Sequence, residues 1–421
     1  MRKKMPSIHS GFVGLIFFLF FLLSVNNTAF SQTTQEEAVE LWNLRQTEIQ
    51  QFYQEGNLEG ALNSAQEAVS LAETAFGSGS LETISSLLLQ AQIHSEMDQL
   101  EEANQIYQVT LETSVASFGE SDATTLSVLD NYGEFLNSID PEMAEPVFQE
   151  ALQLSSEDDP QRASRMKAVG LNLLELGRII EAEEMLKQAL KTFKEISGEK
   201  NTEALSAMAS LAQLYMSQGK LKHAQELFET ALPMMLEALD ETSFLILESK
   251  ENLAEIYRQQ GKYSQAETLF LQSMKAAEAE YGEEDPLVVQ AKSHLAQLYE
   301  DTGKLKQALA FHQQVYEIDS ELLGEGHPNT AGDLNNLASV QRRLGDYQKA
   351  EKLFRQSLKI MIAALGEESP QTVSVMNNLA LLLENQGLYD EAEPLFKKAF
   401  AISGKIQGEL HPTTLALLNN L

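Results

Sequence analysis

Between Pro370 and Gln386 the apolar residues Val373, Met376, Leu379, Ala380 and Leu383 recur at spacings of three and four, the stripe of an amphipathic helix. After Gly387 a second stripe begins, with Tyr389, Ala392, Leu395, Phe396, Ala399 and Ile402, and Gly408 closes it. The pattern predicts two helices broken at Gly387, a residue free to take the left-handed conformation that ends a helix. Ala380, Ala392 and Ala399 are small enough to let the two backbones approach, and Phe396 is expected to fill the space beside them.

The same unit recurs along the chain. The break glycine stands at Gly177, Gly219, Gly261, Gly303, Gly345 and Gly387, always 42 residues apart. The closing glycine stands at Gly198, Gly282, Gly324, Gly366 and Gly408, with Asp240 once in its place. A fixed period of this size is the mark of a repeat architecture. The junctions carry helix-end chemistry: Gly282 to Pro286, Gly324 to Pro328 and Gly366 to Pro370 each set a glycine after one helix and a proline at the start of the next. Proline there loses no helical hydrogen bond. Asp285 and Ser369 are expected to be N-caps.

The 42-residue period, the Asn-Leu-Ala run at Asn378, Leu379 and Ala380 and the Gly-Glu-Gly-His-Pro junction ending at Pro328 resemble the tetratricopeptide repeat, and are similar to its kinesin-light-chain subtype. The resemblance covers residues 36–421. It implies an all-α, right-handed superhelical solenoid of stacked antiparallel helix pairs. It is specific for fold and says little about process, because such repeats serve many functions.

The ends and the first third depart from the regular pattern. Residues 1–31 carry a basic start at Arg2, Lys3 and Lys4, an apolar run over 11–25 and a small-residue site at Ala29 to Ser31. This is the pattern of a secretory signal peptide; the rival reading is an uncleaved membrane anchor, for which the run is short. Residues 32–160 hold three degenerate units, with Gly56 and Asp98 in the break position and Trp42 in the opening helix, placed to cover the end of the stack. From Asp98 to Gly177 is 79 residues, five short of two periods. The loss falls around Ser155 to Pro160, so the helix before it should stop soon after Leu154. Residues 161–408 hold six regular units, and 409–421 begin a tenth, read as truncated.

Charge narrows the range of partners. The chain has 62 acidic and 30 basic residues, a formal charge of −32, and removing residues 1–31 takes away three basic residues and no acidic one, giving −35. A body this acidic is unsuited to nucleic acid, whose phosphates require a basic patch, and to anionic lipid. It favours solubility and cationic partners. With no cysteine, disulfides and a lipidated signal are excluded.

Catalytic signatures are missing: there is no phosphate-binding loop, no His-Glu-x-x-His helix and no EF-hand loop. His327 and His411 each precede a proline two units apart, a spacing that suits helix-start packing rather than metal ligation. No catalytic, cofactor or metal site is expected. What the resemblance implies is a binding groove lined by the first helix of each unit. On that stripe lie Asn252, Asn336 and Asn378, which either bond a bound peptide or are consumed by the backbone of a neighbouring repeat. Arg258, Arg342 and Arg343 follow on the same helices, suited to carboxylates, and Gln213, Gln259 and Gln297 add polar contacts. The expected function is a non-enzymatic protein- or peptide-binding scaffold, exported to the cell envelope or beyond. The alternative is the repeat region of a larger enzyme or signalling protein whose C-terminal effector domain is missing from this chain.

Overall fold

The computed structural model describes residues 35–421. The signal peptide expected over 1–31, with its apolar run, lies outside the described residues. Among the described residues every regular element is an α-helix, nineteen in all. The chain divides into two compact units after Met185.

In the first unit, α1 (Gln35–Gln54) pairs with α2 (Leu58–Phe76), α3 (Leu81–Glu96) with α4 (Leu100–Phe118), and α5 (Ala123–Ile139) with α6 (Pro141–Leu154). α7 (Arg162–Glu175) packs on α6, and α8 (Ile179–Ser197) runs across the division. The second unit continues with five hairpins. They are α9 (Thr202–Ser217) with α10 (Leu221–Ala238), α11 (Phe244–Gln259) with α12 (Tyr263–Tyr281), and α13 (Pro286–Asp301) with α14 (Leu305–Leu322). Then come α15 (Pro328–Arg343) with α16 (Tyr347–Leu365), α17 (Pro370–Asn385) with α18 (Tyr389–Gln407), and a last short helix, α19 (Pro412–Asn419).

The helix ends follow the periodic residues. Gly387 takes φ +76°, and the backbone N–H of Leu388 then reaches back to the Leu383 carbonyl at 2.9 Å, the closure that a left-handed residue permits. Asp285 caps α13, accepting from the Leu287 N–H at 2.9 Å. Ser369 does not cap α17; its hydroxyl donates to Gln371 Oε1 at 2.6 Å instead. The histidines before proline take the capping role, Nδ1 of His327 accepting from the Asn329 N–H at 3.2 Å and Nδ1 of His411 from the Thr413 N–H at 3.3 Å.

The core of the last full hairpin is the predicted one, with one exception. Leu379, Ala380, Leu383, Ala392 and Phe396 pack together with Ala338, Ala350 and Phe354 of the preceding hairpin. Tyr389 is 64% exposed: it opens α18, and a helical side chain leans toward the N-terminus, here out of the hairpin. Val375 and Leu382 are buried as well. α17 packs on both α16 and α18, so its apolar face is wider than a single stripe.

The short third unit ends where the spacing predicts, α6 stopping at Leu154 after 14 residues. Two arginines hold the loop that follows. Arg162 Nη1 donates to the carbonyls of Leu152 and Ser155 at 2.9 and 2.6 Å. Arg165 bridges Asp159 in the loop to Asp130 on α5.

Candidate functional site

The first helices of successive hairpins in the second unit lie side by side, and most of the polar contacts between them share one offset. Residues 43 apart face one another: the 42-residue period plus a stagger of one. Arg258 Nη1 reaches Asp301. His294 Nδ1 lies 2.5 Å from Glu251 Oε2. Arg343 donates to Glu300 Oε2 at 3.0 Å and to its carbonyl at 2.8 Å. The Asn378 amide donates to Asn335 Oδ1 at 3.0 Å, and that of Asn420 to Asn377 Oδ1 at 2.9 Å.

This lattice uses several of the residues picked out by sequence. Arg258 also grips Glu255 with Nε and Nη2, at 2.7 and 2.9 Å, and Gln259 joins it there at 2.8 Å. Burial pushes the Glu255 carboxyl up, but the donors Arg258 and Gln259 outweigh it and hold the group below its ordinary value. Glu300 behaves alike: burial raises it, and His312 and Arg343 bring it below the ordinary range. Gln213 donates to Glu248 on α11 at 2.9 Å. Arg258, Arg343, Gln259, Gln213 and Asn378 thus hold the scaffold together. Asn378 bonds a neighbouring side chain, not the backbone anticipated.

Four of the nine remain available. Asn252 is half-buried and Gln297 exposed, and neither enters a hydrogen bond among the described residues. Asn336 is exposed and only weakly approached by Asn335, at 3.5 Å. Arg342 is half-buried, forms no ion pair among the described residues, and keeps a buried Nε without a partner. Asn336 and Arg342 share α15, where Asp333 is the sole acidic residue. The residues that sequence reasoning missed are the carboxylates Glu251, Glu255, Glu300 and Asp301. Opposite charges 43 apart, at 258 and 301 and at 300 and 343, were the available signal.

No group of three or more His, Asp or Glu side chains among the described residues could hold a metal ion. No helix among them is long and apolar enough to cross a membrane.

The tetratricopeptide repeat family model matches residues 162–237, 245–321, 288–363, 330–403 and 371–421, more than half of the chain. The chain belongs to the tetratricopeptide repeat family. No curated protein matches this tetratricopeptide repeat protein. Among solved structures, the apo form of the quorum sensor NprR from B. thuringiensis is similar at 12% identity and TM-score 0.59, over 87% of this chain and 99% of that one. The apo form of RapI is similar at 15% identity and TM-score 0.55, over 80% and 96%. The kinesin light chain TPR-like repeats of Podosopora anserina share 26% identity at TM-score 0.44, over 48% of this chain and 96% of that one. The first two likenesses establish the shared fold, a helical-repeat solenoid.

Proposed function

We propose that this protein is a non-enzymatic scaffold that binds a protein or peptide segment on the first-helix face of its second unit, centred on α15. The observation that carries this reading is the contrast along that face. On α11 and α13 the arginine and histidine are each paired with a carboxylate, Arg258 with Asp301 and His294 with Glu251, although Glu251 keeps one buried oxygen without a partner. On α15, Arg342 pairs with no carboxylate among the described residues and keeps an unpartnered buried Nε, and the same helix carries the exposed amide of Asn336. A buried donor without a partner costs about 1–3 kcal/mol, and the half-buried Arg342 side chain has no counter-ion among the described residues, which a ligand carboxylate would supply. The fold shared with a protein described as a quorum sensor agrees with ligand binding. The basic start, apolar run and small-residue site of residues 1–31 support export to the cell envelope or beyond it.

Two experiments test these statements. Peptides selected from a random phage-displayed library on the full chain are measured by fluorescence anisotropy against an Asn336→Ala, Arg342→Ala double variant whose helix content is unchanged. A loss of about tenfold or more is expected for the removal of a charge-assisted contact and its neighbour; selected peptides that bind both proteins equally would move the site elsewhere. N-terminal sequencing of the protein from its native host should begin at Gln32, and a start at Met1 would sink the cleavage.

A further inference from the structure

The first unit carries a charge distribution unlike the rest. From Gln46 to Gln161, 116 residues, there are 22 Asp and Glu and no Lys or Arg. The following 260 residues carry 37 acidic and 26 basic residues, so the imbalance is local. The cations that serve these helices come from outside the run, among them Arg45 to Glu48 and Glu67, Arg165 to Asp130 and Asp159, Arg178 to Glu145, and Lys167 near Glu134.

In the middle of this stretch lies an apolar cleft. It sits between the first helices α3 and α5, has a volume of about 460 Å³, and is lined by Leu81, Ile84, Leu88 and Ala123 together with Thr124 and three further polar residues. Leu81 is 54% exposed at its mouth. Glu82 lines the same cleft, and its carboxylate enters no ion pair among the described residues. The serines Ser85 and Ser127 form the exposed rim. The volume suits one or two large aliphatic or aromatic side chains.

We infer that the α3–α5 cleft is a second docking surface, for a cationic amphipathic protein segment that seats apolar side chains between the two helices and sets lysine or arginine against Glu82 and the surrounding carboxylates. The apolar contact supplies affinity. The net negative field steers a basic partner in and rejects an acidic one. An acidic segment would meet carboxylates on every neighbouring helix, which far outnumber the cations that reach them, so the occupant is basic. This surface is distinct from the α15 face, whose free donor is itself a cation.

The test uses the full chain and a fluorescein-labelled, amidated peptide of eighteen residues, built from lysine and leucine on opposite helical faces. Its binding should be unchanged by Arg342→Ala, which separates this surface from the α15 face. Binding is read by anisotropy at low and high salt, beside an all-lysine peptide of equal charge and a glutamate–leucine peptide. The lysine–leucine peptide should bind, with affinity falling as salt rises. Ser127→Trp, at an exposed position, fills the cleft and should weaken binding roughly tenfold, the value of one buried leucine. Ser85→Trp does so from the opposite wall, and Glu82→Gln should weaken it about threefold. Equal binding of the all-lysine peptide, or indifference to both tryptophan variants, would reduce the effect to net charge and overturn the site. Binding of the glutamate–leucine peptide would overturn the charge assignment.

Discussion

Asn378 donates its side-chain amide to Oδ1 of Asn335, 43 residues earlier, at 3.0 Å. The contact joins the first helices of two hairpins, and Asn420 repeats it onto Asn377. Asn336, next to Asn335, is exposed. The two positions should therefore respond differently. Asn378→Ala is expected to destabilise α15 and α17 by about 1 kcal/mol, the net worth of a hydrogen bond. Asn336→Ala should stay within about 0.5 kcal/mol, as for an exposed site. Local hydrogen exchange is the right measure, since long repeat arrays need not unfold in one step. A double-mutant cycle of Asn335→Ala with Asn378→Ala should give a coupling of about 0.5–1 kcal/mol; no coupling would mean the two amides do not hold the helices together.

A pH dependence is built into the seam between α14 and α15. Asp333 is buried, its Oδ2 has no hydrogen-bond partner, and its carboxyl faces that of Asp319. Burial first, and then the Asp319 charge, push Asp333 up to about 8. In neighbouring seams the corresponding residues are Ala277 and Ala291, Met235 and Ser249, or Met361 and Val375, all buried. An unfolded aspartate titrates near about 3.9. Between the two values the folded chain holds a proton that the unfolded chain has lost, so stability falls as pH rises. The contribution is fully present below about 4, is lost as pH rises through about 8, and is flat above. Amides of α14 and α15 should exchange faster at pH 8 than at pH 5 after correction for intrinsic rates. Asp333→Asn should remove this difference; an unchanged slope in the variant would assign it to other groups.

Arg165 is 4% exposed and is the counter-ion of two carboxylates. Its Nε and Nη2 each reach Asp130 at 2.9 Å, and Nη1 reaches Asp159 at 2.6 Å. Arg165→Met would leave the carboxylates facing each other without a cation. The first unit should lose about 3 kcal/mol, the usual cost of breaking a buried pair from one side. Adding Asp130→Asn should restore part of that loss. The measurement is urea unfolding followed by Trp42 fluorescence, since the one tryptophan reports on this unit. A loss below about 0.5 kcal/mol, the size of a surface effect, would show that the bridge contributes little.

Residues such as Leu379, Ala380, Ala392 and Phe396 announced the fold, because a helix hairpin repeated at one period leaves the same apolar and glycine positions in every copy. Tyr389 misled because its stripe begins before the hairpin does: periodicity marks a helical face but not where the neighbouring helix starts. The binding face was legible only as a helix side. Whether Arg258 or Arg342 is free depends on which residue stands 43 positions away, Asp301 in one case and Asn385 in the other. Single-helix periodicity does not contain that offset, which arises from the stagger between hairpins. Ser369 shows a related limit. A good capping residue was in the right place, but the Gln371 side chain claimed its hydroxyl.

Asp98 is the single non-glycine residue with positive φ among the described residues, at +59°, in the position that Gly387 fills at +76°. Its loop closes like that of Gly387, with the Gln99 N–H reaching the His94 carbonyl at 2.9 Å. The geometry is therefore the same and the residue differs. A left-handed conformation strains an L-residue, less for aspartate than for most. Asp98→Gly should stabilise the α3–α4 hairpin by about 0.5–1 kcal/mol. Gly387→Ala should destabilise α17 and α18 by about 1 kcal/mol. The methyl group added at Gly387 would meet nothing within 4 Å, so the loss would be one of backbone conformation and not of packing. Hydrogen exchange at Gln99 and Leu388 reads both changes at the closing hydrogen bond. If Asp98→Gly weakens protection at Gln99 instead, the aspartate side chain contributes more to the turn than its strained backbone costs.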